Sequence, residues 1–176
     1  EYIEFLKGDM PKDKTNLFEG IDTTWNRIKG GKAIGDILYA VEKNFDFKNP
    51  AASVSELVKA YSLIEKLEDK HWRLVKLEEI KKIIAACTGL YLEAVTDVQE
   101  ITPGSPLKVK WEAINRSDIS INLEGIGAVP VYKHQGEQKI RPLQNNIPLT
   151  ETITLDHPNN FDLTNAYWLN QTATNG

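Results

Sequence analysis

Between residues 21 and 96 the apolar positions recur at steps of three and four. Ile34, Ile37, Leu38, Val41 and Phe45 form one stripe, and Val54, Leu57, Val58, Tyr61 and Ile64 form a second. A third and longer stripe runs through Leu77, Ile80, Ile84, Cys87, Tyr91 and Ala94. Such spacing puts each set on one face of a helix, and that face must be buried against something. The pattern predicts three principal helices and a short one over residues 23–28. "FKNPAAS" separates the first two stripes, because Pro50 disfavours helix at Asn49 and Ser53 can cap the next helix. "LEDKHW" separates the second stripe from the third.

Beyond residue 97 the period becomes two. Leu107, Val109, Trp111 and Ala113 alternate with Lys108, Lys110 and Glu112. After the turn "NRSD", Ile119, Ile121 and Leu123 alternate with Ser120 and Asn122, which predicts a hairpin with one buried and one wet face. "AVPVYKHQGEQKIRPL" reads as another strand pair turning at Gln135-Gly136, and "TETITL" as a further strand. Short strands with turn signals every 8–12 residues predict an antiparallel sandwich. Helices first and strands second, without alternation, predict two segregated α+β parts rather than a βαβ fold. The expected division is a linker over 1–16, an α-helical bundle over 17–97 and the β part over 98–176.

Composition narrows the classes. The 176 residues are 41% hydrophobic and 26% charged, ordinary for a globular chain. A net charge of −4 without a basic block argues against nucleic acid as a partner. No apolar run approaches the roughly 20 residues needed to span a bilayer. The single cysteine, Cys87, excludes an internal disulfide and is expected to be a small buried hydrophobe. The chain opens on Glu1 rather than methionine, and it is expected to be a piece of a longer protein.

Two stretches tempt a functional reading. "LFEGIDTTWNRIKGGKAIG" offers a Gly-Gly-Lys, but a phosphate loop needs glycine, four residues, then Gly-Lys-Ser/Thr. Here Gly31-Lys32 is followed by Ala33, and position 26 is Asn. The stretch reads instead as a helix boundary: Asp22 or Thr23 caps a short helix, Gly30 and Gly31 stop it, and Trp25 and Ile28 pack inward. In "TITLDHPNN", His157 is followed by Asn159 and Asn160, whose neutral amides are poor zinc ligands. His71 and His134 are isolated, and no His-x-x-His completes a site. The basic residues from Lys70 to Lys82 are mixed with Glu78 and Glu79 and read as a solvated face. Asn115-Arg116-Ser117 and Asn170-Gln171-Thr172 are sequons, the first of which also makes a hairpin turn. Trp111 is expected in the core. These residues predict no catalytic, cofactor-binding or metal site in the chain.

The ordered set "LFEGIDTTWNRIKGGKAIG", "FDFKNPAAS", "YSLIEKLED", "IIAACTGLYLEAV", "ITPGSPLKVKWEAINRS", "VPVY" and "AYWL" resembles the region after the catalytic domain in long bacterial members of the LmbE/PIG-L deacetylase family. The similarity runs from about residue 17 to 169. In that family the catalytic domain is a Rossmann-like fold using zinc, held by a His-Pro-Asp-Asp strand end and a later His-x-x-His, to remove N-acetyl groups from sugars. Neither motif is matched here, so no catalytic residue carries over. The resemblance implies an accessory segment, helical and then immunoglobulin-like, of an exported enzyme in the periplasm or outside the cell. Zinc is expected only in the catalytic domain upstream, and that domain is the expected partner, with Phe18 as an interdomain contact. The alternative is a glycan-binding module gripping sugar through exposed aromatics, with Tyr132, Tyr167 and Trp168 as candidates.

Overall fold

The computed structural model describes residues 12–13, 15–16, 18–126, 140–156 and 163–170. Three helices, α1 (Lys32–Lys43), α2 (Val54–Ile64) and α3 (Lys70–Cys87), precede five strands: β1 (Tyr91–Thr96), β2 (Pro106–Ile114), β3 (Ile121–Leu123), β4 (Arg141–Leu143) and β5 (Leu149–Asp156). The protein is therefore a mixed α+β chain, helices first and antiparallel strands second. It divides after Cys87 into two compact units.

In the first unit α2 is central and packs against both α1 and α3. Ile34, Val54, Leu57, Ile64 and Ile80, which the helical stripes put inward, are buried there together with Ala60 and Leu67, whereas Val58 of the second stripe is exposed. Pro50 opens a 3-10 turn, Pro50–Ser53, that runs directly into α2. Ser53, expected as a side-chain cap, is already in helical backbone conformation and makes no cap bond. α3 is capped by Asp69, whose Oδ1 accepts from the Trp72 N–H at 3.0 Å.

The third stripe was expected to stay helical to Ala94, and here the structure differs. α3 ends at Cys87, and Gly89 takes φ +58°, a left-handed conformation that suits glycine and terminates a helix. Tyr91 and Ala94 therefore lie on a strand. Their spacing of three is a helical step, and on the strand they point to opposite faces; Gly89, not the periodicity, marks where the helix stops.

In the second unit β2 is flanked by β1 and β5, and β3 pairs with β4. All these pairings are antiparallel. The hairpin expected between residues 107–113 and 119–123 does not form: Ile121–Leu123 pairs instead with Arg141–Leu143. Asn115 closes the 115–119 loop with its side chain and also bonds the Leu143 carbonyl at the end of β4. Alternation along β2 is as expected. Trp111 and Ala113 are buried with Leu143, and Leu90, Ile121, Leu123, Ile126, Leu149 and Ile153 pack around them. "TETITL" lies within β5. The strand pair expected at Gln135-Gly136 lies outside the described residues.

Candidate functional site

The stretch from Phe18 to Gly35 is a docked helix boundary. Asp22 Oδ1 accepts from the Thr24 N–H at 2.8 Å and from its hydroxyl at 2.6 Å. Those bonds hold the Asp22 carboxyl below the usual carboxylate range, the Thr24 hydroxyl being the larger cause. Thr24 in turn accepts from the Asn26 N–H and caps a 3-10 turn, Trp25–Arg27. The cap is thus Thr24, with Asp22 orienting it, rather than Asp22 or Thr23 directly. Gly30, at φ +83°, ends the turn, and Gly31 begins α1.

At Gly31 and Gly35 a side chain is excluded because Trp25 passes close, by its backbone at the first and its side chain at the second. A Cβ on Gly31 would stand 2.2 Å from the Trp25 carbonyl oxygen, and one on Gly35 would stand 2.9 Å from Trp25 Cβ. The turn is thus pressed onto the first turns of α1. Ile28 is buried as expected, whereas Trp25 is only half-buried and lays one side of its ring along Gly35.

Around Trp25 the structure assembles a layer of rings and cations. The Arg27 guanidinium lies 4.2 Å from the Trp72 ring centre, and the Lys76 ammonium lies 5.7 Å from Trp72 and 5.9 Å from Trp25. His71 meets Trp72 edge to face at 5.0 Å. Such contacts contribute about 0.5–1 kcal/mol each at exposed sites. The basic run on α3 is thus more than a solvated face. Lys76 pairs with Glu79 at 2.7 Å while covering two rings, and Arg73 donates to the Leu67 carbonyl at 2.7 Å. The spacing of Trp72 and Lys76, one helical turn apart, was readable in sequence. The partnership of Arg27 with Trp72, 45 positions on, was not.

A second constellation sits at the end of β2. Asn115, only 1% exposed, donates from Nδ2 to the carbonyls of Ile119 (2.7 Å) and Leu143 (3.3 Å). Its Oδ1 accepts from the Ser117 N–H and hydroxyl, and its backbone carbonyl accepts from the Asn146 N–H at 2.7 Å. Asn115 therefore ties β2, the 115–119 loop and β4 together. Nδ2, the atom a glycan would occupy, is spent inside the fold, so this sequon is structural. Residues 171 and 172 of the other sequon lie outside the described residues.

The expected contact residues fall in both units. Phe18 is 71% exposed in the first unit, and Trp168 is 65% exposed in the second. Tyr132 lies outside the described residues, as does the side chain of Tyr167, whose backbone belongs to the 3-10 turn Tyr167–Leu169. His134, His157, Asn159 and Asn160 also lie outside them. Among the described residues no group of three or more His, Cys, Asp or Glu could hold a metal, and no helix is long and apolar enough to cross a membrane.

Two clefts open on the described surface. One, of about 410 Å³, lies between α1 and α2 beside Asp36, Ile37, Val41 and Glu56. Its carboxylates are already paired, Asp36 with Lys32 and Glu56 with Lys59. The other, of about 370 Å³, lies along the β1–β2 connection beside Asp97, Glu100, Thr102 and Ser105, where the Thr102 and Ser105 hydroxyls bond each other at 2.7 Å. Neither brings a nucleophile and a base together. Burial pushes the Cys87 thiol up, away from the thiolate that a nucleophile needs. No protein-family model, curated protein or solved structure matches the chain.

Proposed function

We propose that this chain is a non-catalytic accessory segment that supports or positions the catalytic domain of a zinc-dependent N-acetyl-sugar deacetylase of LmbE/PIG-L type. In this reading the helices form a small bundle, the two sheets an immunoglobulin-like sandwich, and the whole enzyme works in the periplasm or outside the cell. Zinc belongs to the catalytic domain and this chain needs none. The reading is supported by the ordered motifs from residue 17 to 169 and carried by one structural contrast. Ile28 is buried, while Phe18 and Ile21, ten and seven residues before it, are largely exposed. An anchored turn that leaves two large apolar side chains in water, on the segment leading back toward residue 1, suits an apolar surface of a preceding domain.

The test compares two truncations in this chain and in the longer protein. Ile28→Ala lowers the stability of both by about 2–5 kcal/mol, as core truncations do. Phe18→Ala leaves this chain within about 0.5 kcal/mol of its parent, as exposed substitutions do, yet lowers the stability or activity of the longer protein. Equal losses from Phe18→Ala in both settings, or a sequence upstream of Glu1 without a His-Pro-Asp-Asp strand end, would sink the proposal.

A glycan-binding role is the second reading, favoured by the exposure of Trp168 beside the equally exposed Leu169. It would use Trp168 with Tyr132 and Tyr167 as a platform. Titration with chitin oligosaccharides decides it: quenching of tryptophan fluorescence that vanishes in Trp168→Ala supports the reading, and its persistence there removes it.

A further inference from the structure

We infer that the outer edge of β1 is a docking site for an extended segment of another protein, one that alternates β-branched residues with a Lys or Arg. Among the described residues β1 is the edge of its sheet and pairs with β2 alone. Alternate residues of such a strand turn their N–H and C=O groups outward, ready to receive another strand. Edges are ordinarily blunted by proline, lysine, bulges or brevity. β1, "YLEAVT", has no proline or lysine, and its six residues pair with β2 without a bulge.

Apolar side chains stand on both faces of this edge, with Glu93 as its one charge. Leu92 and Ala94 stand opposite Ala113 and Trp111, on the face that carries the core, and Leu92 is nevertheless 63% exposed. Val95 stands opposite Lys110 on the other face and is 50% exposed. The opposite edge of the sheet, β5, instead offers Thr150, Glu151, Thr152, Thr154 and Asp156 among its eight residues. One additional strand beside β1 would cover apolar surface above and below the sheet, which a strand beside β5 would not.

Charge selects the occupant. Glu93 stands directly opposite Glu112, and like charges so placed repel. Glu93 accepts from the Tyr91 hydroxyl, and Glu112 accepts from the Thr150 hydroxyl at 3.2 Å. Among the described residues neither carboxylate has an ion pair; Lys110 lies diagonal to Glu93, and the Arg116 guanidinium lies 5.1 Å from the Tyr91 ring centre. A cation on the incoming strand opposite Glu93 would relieve the repulsion. A second copy of β1 cannot supply it. Antiparallel pairing that keeps the apolar face continuous sets Glu93 opposite Tyr91, Val95 or another Glu93, because facing residues must share a side of the sheet. The partner inferred is a segment of another protein of the form apolar–basic–apolar. This recognition mode is β-strand addition, in which main-chain bonds give affinity and alternate side chains give selectivity.

The test uses the labelled peptide Val-Thr-Val-Lys-Val-Thr-Val and its counterpart with glutamate for lysine, each titrated by fluorescence anisotropy. Amide exchange is then read across residues 91–96. The inference expects the lysine peptide to bind with a roughly fivefold or greater preference, the scale set by one cross-strand charge pair replaced by a repulsion. It also expects slowed exchange confined to β1, and a reversed preference in Glu93→Lys, whose circular dichroism should match the parent. Binding indifferent to the peptide's charge would overturn it, as would protection elsewhere or no binding. β1 amides already protected in the free monomer would show the edge to be covered by the chain itself. Protection that appears only with concentration-dependent dimerisation would assign the edge to a second copy. Either result also overturns the inference.

Discussion

Trp25 lies directly on Gly35: the indole side chain leaves no room for a methyl group on the helix beneath it, since a Cβ there would approach Trp25 Cβ to 2.9 Å and the Tyr39 ring to 3.2 Å. The contact presses a 3-10 turn onto α1 and explains why a Gly-Gly-Lys-Ala-Ile-Gly stretch stands at the start of a helix. Glycine inside a helix costs about 1 kcal/mol relative to alanine, so its presence at 35 is offset by close packing.

Two alanine substitutions should therefore destabilise the chain despite their better helix propensity. In Gly35→Ala the new methyl meets Trp25 Cβ, which cannot swing away without undocking the turn, and overpacking of this kind costs about 1–3 kcal/mol. Gly31→Ala should be worse, because its methyl would meet the Trp25 carbonyl oxygen at 2.2 Å and backbone cannot yield locally. Urea melts rank the two. A neutral or stabilised Gly31→Ala would mean that the turn does not sit on α1.

Asn115→Ala should cost about 3 kcal/mol, since it strands the carbonyls of Ile119 and Leu143 and the Ser117 N–H in the interior, each worth about 1–3 kcal/mol when left unpaired. Asn115→Asp separates the accepting from the donating role of this side chain. An ionised carboxylate keeps the bonds from Ser117 but repels the two carbonyls. The variant should be nearly as unstable at neutral pH and recover as its carboxyl takes up a proton. Melts at pH 7 and pH 4, taken relative to the parent at each pH, check this; an aspartate tolerated at pH 7 would refute the role of Nδ2.

Cys87 provides a pH signature. Burial raises its pKa above the ordinary 9.0, so the folded chain holds the thiol proton more tightly than the unfolded chain. The stability this contributes is fully present below pH 9 and is lost as pH rises through the raised native value. The stability difference between the parent and Cys87→Ala should accordingly shrink above pH 9. At pH 8 the native thiol should react with dithionitrobenzoate far more slowly than the denatured one. Rapid reaction in the native state would show that the thiol is not enclosed.

The order of the parts was legible in the chain because local periodicity reports local burial. The stripes through Ile34, Leu57 and Ile80 could only be helix faces, and the alternation through Leu107, Val109, Trp111 and Ala113 could only be a strand with one dry side. The turn at Trp25 and the structural reading of Cys87 and Trp111 were likewise accessible from composition and spacing. Expectations failed where a glycine ended a helix inside a helically spaced run, as Gly89 does before Tyr91 and Ala94, or where a strand found a partner far along the chain, as Ile121–Leu123 does in Arg141–Leu143.

Tertiary structure decided what depends on distant partners. β2 pairs with β1 and β5 rather than with residues 119–123, and Asn115 at its end bonds the Leu143 carbonyl 28 positions along the chain. The stacking of Arg27 on Trp72 joins segments whose separation carries no periodic signal. The edge position of β1 likewise depends on which strands lie beside it, since a strand's own sequence specifies which side chains share a face but not which backbone neighbours complete its hydrogen bonds.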